Sequence, residues 1–443
     1  MTEMADFLLL LSDDRLNISS PEKSVPSLGL MYLASALEDN GFSVAIRDLR
    51  LELEARDKED VLLELIKEFS PKAVGVSILT FSAAQAYETA RIIRKHFPKI
   101  LLIAGGIHPT FVPNGCLGFF DIVVRGYGEK PIVNIGEYLE GRKKLGDIPG
   151  ISYNEGGKCV HNESGEMTPP CGIPAWHLAS VEKYSSNNRF AIITGRGCPF
   201  LCNYCTCSAI SNKRYFPREM GSVLEEIRLL IGEYGAKQIT FLDDTFTLDR
   251  KRAIEVCRAI GENGLHFGWS CYCRVDTVDA ELLEAMKNAG CKAIHFGVES
   301  GNRKILFETR KGITLEQAEA AVATSKAAGI SEIICSFIIG HAKDTEETIV
   351  DTVAFACRLK ELGATVITVS MLIPYPGSEV WDKRKELGIK VHARDWNFTH
   401  EQCAISTKNL SRENIEFLYY NFVLPYLNPK EVIATAKHDK NAG

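Results

Sequence analysis

No stretch of the 443 residues approaches the ~20 consecutive apolar side chains of a membrane-spanning helix, so a membrane span is not expected. The amino terminus holds only the short apolar run 7–11 ahead of Asp13 and Asp14, with no basic segment before it. That pattern argues against a secretory leader and for a cytoplasmic protein. Positive charge is not in excess either. The 51 lysines and arginines face 57 acidic residues, a formal charge of −6, so nucleic acid is not an expected partner. Tail-like charge blocks, internal repeats and low-complexity tracts are also missing. What remains is an ordinary globular composition, 45% hydrophobic and 24% charged, at a length that suggests two or three domains. The 14 cysteines, in a chain too long to need a disulfide framework, are expected as thiols or metal ligands.

Residues 1–140 alternate short apolar runs at 7–11, 43–48, 73–77, 100–104 and 122–124 with helical patterns near 28–40, 59–69, 83–97 and 129–139. Strands separated by helix-length segments predict parallel βαβ units, here a doubly wound, flavodoxin-like α/β domain of the Rossmann type. Residues 141–187, punctuated by glycine and proline, read as a connector with short strand-like pieces. A second series follows at 188–400, with strands at 190–194, 238–242, 266–271, 293–297, 333–339 and 366–370, and helical patterns such as 222–234, 315–328 and 346–362. Six βα units are fewer than the eight of a closed barrel, so a partial (β/α)6 barrel is predicted. Residues 401–443 read as a short helical tail.

Immediately after the first strand of the second series stands Arg196-Gly197-Cys198-Pro199-Phe200-Leu201-Cys202-Asn203-Tyr204-Cys205. Thiolates spaced n, n+4 and n+7 on one loop can converge on one iron–sulfur cube, leaving its fourth iron open to a small molecule. A zinc site would want four closed ligands, with Cys207 as the fourth. Structural thiols are the third possibility, although four cysteines within ten residues behind Gly-Cys-Pro have no packing reason to crowd.

This loop resembles that of the radical S-adenosylmethionine (SAM) enzymes, CxxxCxxC with an aromatic residue, here Tyr204, before the last cysteine. The resemblance extends over residues 190–378. It implies a 4Fe-4S cluster on Cys198, Cys202 and Cys205, and SAM contacts from Phe200 and Tyr204 of the loop. Asp243 and Asp244, after the second strand, resemble the acidic segment that positions the SAM amino group; the plain alternative is a cap for the helix starting near Asp249. Arg274, ending the third strand, would hold the SAM carboxylate or pair with Asp276. Glu299, ending the fourth, resembles the residue near the ribose or amino acid part, and Ile339-Gly340, ending the fifth, the segment that brackets adenine. Pro374-Tyr375-Pro376-Gly377 resembles the closing loop. All lie at strand carboxyl ends, where barrel active sites are built.

In residues 1–140, Ser77-Ile78-Leu79 and Gly105-Gly106 end the third and fourth strands. They resemble the S-x-L segment and Gly-Gly turn of the cobalamin-binding fold, and the fusion resembles cobalamin-dependent radical SAM enzymes. The resemblance implies corrinoid contacts from Ser77, Leu79, Thr80, Phe81, Gly105, Gly106, His108, Gly126, Tyr127, Gly128 and Glu129. Residues 12–20 carry no D-x-H-x-x-G, so the histidine that ligates cobalt in methionine-synthase-like proteins is absent and the corrinoid is expected base-off. His108 stands too far from that position to replace it and reads equally as a satisfied turn histidine. The flavodoxin-like alternative binds no corrinoid.

The implied activity is reductive cleavage of SAM to a 5′-deoxyadenosyl radical, with methylation of an unactivated carbon or phosphorus centre of a small molecule as the first reading. An electron donor such as flavodoxin or ferredoxin is implied as partner. Rival readings are a non-methylating cobalamin radical SAM oxidase, cyclase or ring-rearranging enzyme, a cobalamin-independent radical SAM enzyme, and a corrinoid-binding sensor. Trp176, Tyr375 and Trp396 read as packing aromatics before pocket residues.

Overall fold

A computed structural model describes residues 5–13, 25–53, 56–184, 189–392, 396 and 402–427. The stretch 14–20, where most of the missing D-x-H-x-x-G would stand, and the tail beyond residue 427 lie outside these. Among the described residues no helix is long and apolar enough to cross a membrane. The described residues form two compact units, one from those within 1–191, 216–226 and 394–398, the other from those within 192–215, 227–393 and 399–443.

In the first unit, β1 (Phe7–Leu11), β2 (Val44–Asp48), β3 (Ala73–Ser77), β4 (Leu101–Gly105), β5 (Ile122–Val124), β6 (Ile151–Glu155) and β7 (Lys158–His161) form one sheet in the order β2-β1-β3-β4-β5-β6-β7. The first five run parallel, as their non-alternating sequences predict, since both faces are covered. Leu8, Leu9, Leu10, Val74, Leu102 and Ala104 are completely or almost completely buried, each large one contributing about 1.5–3 kcal/mol. β6 and β7, from the stretch read as a connector, extend this sheet as an antiparallel hairpin. The order 2-1-3-4-5 puts its topological switch between β1 and β3, so a ligand site is expected at their carboxyl ends.

In the second unit, β8 (Arg189–Ile192), β9 (Gln238–Phe241), β10 (Gly268–Arg274), β11 (Cys291–Glu299), β12 (Glu332–Ile339) and β13 (Val366–Met371) form a six-stranded sheet in reverse sequence order. The boundary between the units falls inside β8. From β9 to β13 every adjacent pair is parallel. The connecting helices Arg250–Glu262, Ala280–Asn288, Leu315–Ala327 and Glu346–Leu362 start on side-chain caps from Asp249, Asp279, Thr314 and Thr345. Two strands run further than the sequence reading placed them: β10 reaches Arg274 and β11 reaches Glu299, carrying both charged residues on rigid backbone.

Candidate functional site

The cysteine loop leaves β8 through Gly197, whose φ of +92° and a would-be Cβ 2.2 Å from the Arg214 carbonyl leave room for glycine alone. The loop is tied down along its length. Gly197 N–H donates to Asp244 at 2.9 Å, and Cys198 N–H to the Ser211 hydroxyl at 3.3 Å. The Asn203 side chain donates to the Glu308 carbonyl at 2.8 Å, and its backbone is held by Thr309 and Val380. Cys198, Cys202 and Cys205 stand half-buried on this frame. Burial pushes the Cys198 thiol up to about 11, while hydrogen bonding with Cys207 lowers Cys205 to about 7. That same bond, with burial, pushes the Cys207 thiol up. Among the described residues no three His, Cys, Asp or Glu side chains converge closely enough to hold one metal ion. Three soft thiolates on one anchored loop are the donor set that an iron–sulfur cube takes.

Charged groups from the strand ends surround the loop. Asp243 is completely enclosed: it accepts from Thr194 N–H at 2.9 Å and Thr194 Oγ1 at 2.7 Å, and burial pushes it up to about 6. Its carboxylate braces the start of the loop. Asp244 is exposed and, through Gly197, lies beside the cysteines, so of the two aspartates it is the one able to meet an ammonium. Neither caps the following helix, which Asp249 does. Arg274 is buried; it forks onto Asp276 at 2.8 and 2.9 Å, donates to the Lys311 carbonyl at 2.7 Å, and stacks 3.7 Å above the Phe200 ring. Its remaining arm lies 3.9 Å from the Cys202 sulfur. Of the two readings of this arginine, the pair with Asp276 is present, and it is part-buried rather than superficial.

Glu299 has a left-handed backbone, φ +73°, rare for a side chain of this kind, and its carboxylate takes the Lys311 ammonium at 2.9 Å. A Cβ at Gly297 would lie 2.5 Å from the Glu299 oxygen and 2.7 Å from Lys311 Nζ, so this glycine makes the space for the pair. Burial pulls the Lys311 ammonium down, but Glu299 and Cys202 outweigh it and hold it above the ordinary lysine value. Tyr204 is half-buried edge-on to His341, ring centroids 6.0 Å apart. Gly340, φ +86°, and His341 both donate N–H groups to Asp344 at 2.9 Å. Lys311 and His341 went unnoticed in the sequence, where neither belongs to a motif.

At the switch point of the first unit, β3 continues into Ile78 and Leu79, and Leu79 is 41% exposed for so apolar a side chain. Ile78 N–H donates to the Gly105 carbonyl at 2.8 Å and His108 N–H to the Ile78 carbonyl at 3.2 Å, so the S-x-L and Gly-Gly segments form one hydrogen-bonded unit. Gly105 faces open space; a Cβ on Gly106, φ +106°, would lie 2.8 Å from the Ile78 carbonyl oxygen. Thr110 Oγ1 bridges the Gly106 carbonyl at 2.8 Å and Gly126 N–H at 3.0 Å, which brings Gly126 to the same edge, followed by half-buried Tyr127, Gly128 and Glu129. Ser77 and Phe81 are half-buried. Thr80 and His108 are buried, and His108 is bonded to Tyr87 at 2.9 Å, set against Trp396, and lowered by burial to about 4. An open glycine edge beside an exposed leucine fits an extended ligand tail lying on backbone. Gly106→Ala should destabilise this unit by about 1–3 kcal/mol and abolish corrinoid uptake, measured by urea unfolding and by absorbance after desalting.

A barrel with an anchored three-cysteine loop, joined to a doubly wound domain with an open glycine edge, defines a class of cofactor-dependent enzymes. Residues 192–356 match the family model of the radical SAM superfamily, and residues 15–136 that of the B12 binding domain. An uncharacterized methyltransferase of Pyrococcus horikoshii is 34% identical over 92% of this chain and 89% of its own. The anaerobic magnesium-protoporphyrin IX monomethyl ester cyclase of Rubrivivax gelatinosus is 28% identical over 91% and 70%. The cobalamin-dependent SAM radical enzyme OxsB, solved with aqua-cobalamin and SAM bound, superposes with a TM-score of 0.78 over 96% of this chain and 68% of its own, at 18% identity, and shows the shared fold. The chain belongs to the B12-binding radical SAM enzymes.

Proposed function

We propose that the protein is a cobalamin-dependent radical SAM methyltransferase acting on an unactivated carbon or phosphorus centre of a small molecule. The carrying observation is the three-thiol loop, fixed by Gly197 and Asn203 with Asp244 and Arg274 beside it. The likeness to a methyltransferase over nearly the whole chain supports the transfer step. When bound, the cluster with SAM supplies a 5′-deoxyadenosyl radical and the corrinoid supplies a methyl group.

The chain's own residues bind, orient and shield. Cys198, Cys202 and Cys205 hold the cluster as thiolates, so loading releases protons. Asp244 offers its carboxylate to the SAM ammonium. Arg274, with two arms committed to Asp276, turns the third toward Cys202, where a donor steadies a thiolate ligand. Glu299 and Gly340 present the fourth and fifth strand ends to the nucleoside. In the first unit Ser77, Leu79, Thr80, Phe81, Gly105, Gly106, Gly126, Tyr127, Gly128 and Glu129 cradle a corrinoid that stays base-off, because the described histidine of that edge, His108, is already bonded to Tyr87. A flavodoxin- or ferredoxin-type donor supplies electrons, and a reducing cytoplasm suits fourteen free thiols.

The test is anaerobic reconstitution with iron, sulfide and hydroxocobalamin, reduction, and mass spectrometry of the SAM products. 5′-Deoxyadenosine together with S-adenosylhomocysteine is expected. 5′-Deoxyadenosine alone would replace this reading by a non-methylating one, which the cyclase relative favours. Neither product from a fully loaded, reduced protein overturns both.

A further inference from the structure

We infer that the open face of the barrel sheet is a recognition wall for an uncharged substrate bearing a planar ring, with Tyr272 as its stacking platform and His295 as its polar contact. The inference rests on the reading above, since it names the substrate class of that same site.

Strands covered on both faces are buried at every position. β9 to β13 alternate instead. Phe241, Cys271, Phe296, Cys335 and Ile367 are buried at 0–1% exposure. Their neighbours Thr240, Ser270, Tyr272, His295, Ser336 and Thr368 are half-buried or exposed and polar, with half-buried Ile334, Ile338 and Val366 on the same face. A row of hydroxyl and imidazole groups on one face of five adjacent strands is not what packing alone selects.

These side chains are already ordered. Thr240 and Ser270 hydroxyls meet at 3.0 Å. The Ser336 hydroxyl bonds His295 Nε2 on one side and Thr368 Oγ1, at 2.7 Å, on the other. The Tyr272 ring lies over the His295 imidazole, centroids 4.9 Å apart and 30° between planes, yet 40% of the tyrosine stays exposed. Among the described residues the second ring nitrogen of His295 has no protein partner. The wall therefore offers one aromatic surface and one directional hydrogen bond.

Its depth is fixed by register. Tyr272 precedes Arg274 by two residues on β10 and His295 precedes Glu299 by four on β11, placing both just beneath the strand ends that border the cysteine loop. Charge selects against ions. Arg274 is paired with Asp276 and Lys311 with Glu299, and burial lowers His295 so that it stays neutral. The two cations at these strand ends, Arg274 and Lys311, are thus already neutralised and leave little for a phosphate or carboxylate, while an uncharged ring can extend the His295–Tyr272 stack.

The test uses the full-length chain loaded with iron, sulfide and hydroxocobalamin, without reductant, and follows binding of indole, cyclohexanol and benzoate by ligand-observed NMR with and without SAM. Indole is expected to bind best, also with SAM present. Tyr272→Leu should weaken it about fivefold and Tyr272→Phe should preserve it. The proposal is overturned if the three probes bind alike, if benzoate is preferred, or if Tyr272→Leu leaves indole unaffected. Competitive displacement of indole by SAM overturns it as well, because the ring surface would then belong to adenine. No turnover is involved, so the two readings fail separately. Indole binding by a protein that makes no 5′-deoxyadenosine sinks the catalytic reading, and SAM cleavage without the indole preference sinks this one.

Discussion

Serine at position 198, 202 or 205 should leave the protein folded, strip it of its iron–sulfur cluster and abolish 5′-deoxyadenosine formation. Serine is nearly isosteric with cysteine, but its hydroxyl ionises far less readily than a thiol and is a hard ligand where iron–sulfur chemistry wants a soft one. Two remaining thiolates cannot hold the cube. The loop itself has little reason to collapse, because Gly197, Asn203 and Ser211 anchor it through hydrogen bonds that do not involve the three sulfurs as acceptors. Cys207→Ser is the discriminating control. Cys207 begins the short helix Cys207–Ile210 and stands outside the n, n+4, n+7 spacing of the other three. A cluster of three cysteines predicts that this variant keeps its iron, whereas a four-cysteine zinc centre predicts that it loses metal like the others. Iron and sulfide analysis, zinc analysis and electron paramagnetic resonance of the reduced proteins check both statements. Corrinoid loading should survive in all four variants, since its cradle belongs to the other unit.

Much of this was legible because the features are local. Cysteine spacing is a covalent fact, and strand and helix periods survive without tertiary context, so the parallel units and the loop after β8 could be placed from the sequence. Glycines at 105, 106 and 197 could also be singled out, though the reasons, open space at Gly105 and carbonyls within 2.2–2.8 Å of a would-be Cβ at Gly197 and Gly106, needed coordinates. What could not be read depends on contacts distant along the chain. Asp243 and Asp244 are chemically identical neighbours, and only the position of Thr194 makes one a brace and leaves the other facing the cysteines. Lys311 meets Glu299 across the helix Arg303–Glu308 and carries no motif. The hairpin of β6 and β7 looked like a linker because its glycine-rich turn dominates the pattern. Its partner strand β5 lies 27 residues upstream of β6. The polar alternation of β9 to β13 was present in the letters all along, but it acquires meaning only when the strands lie side by side and the hydroxyls align.

The second large effect concerns the pair that the sequence hid. Lys311→Met should lower stability by about 3–5 kcal/mol, the usual consequence of leaving one member of a buried ion pair without its partner. Both side chains are only 9% exposed, so water cannot replace the lost contact cheaply. A left-handed glutamate costs on the order of 1–3 kcal/mol and persists only if its surroundings hold it, and the 2.9 Å bond to Lys311 is one of the holds. Glu299→Gln combined with Lys311→Met removes the charge as well as its partner, and should recover a large part of the deficit relative to Lys311→Met alone. Urea unfolding of the barrel transition measures both, with the double-mutant cycle isolating the coupling. A cost for Lys311→Met within about 0.5 kcal/mol would mean that the pair behaves as a solvated surface contact. The carboxylate would then be free to turn toward the nucleoside, and SAM affinity, measured on the same variants, would be unaffected by the loss of the lysine. With the pair intact as described, Lys311 fixes where Glu299 points, and its removal should weaken SAM binding along with the fold.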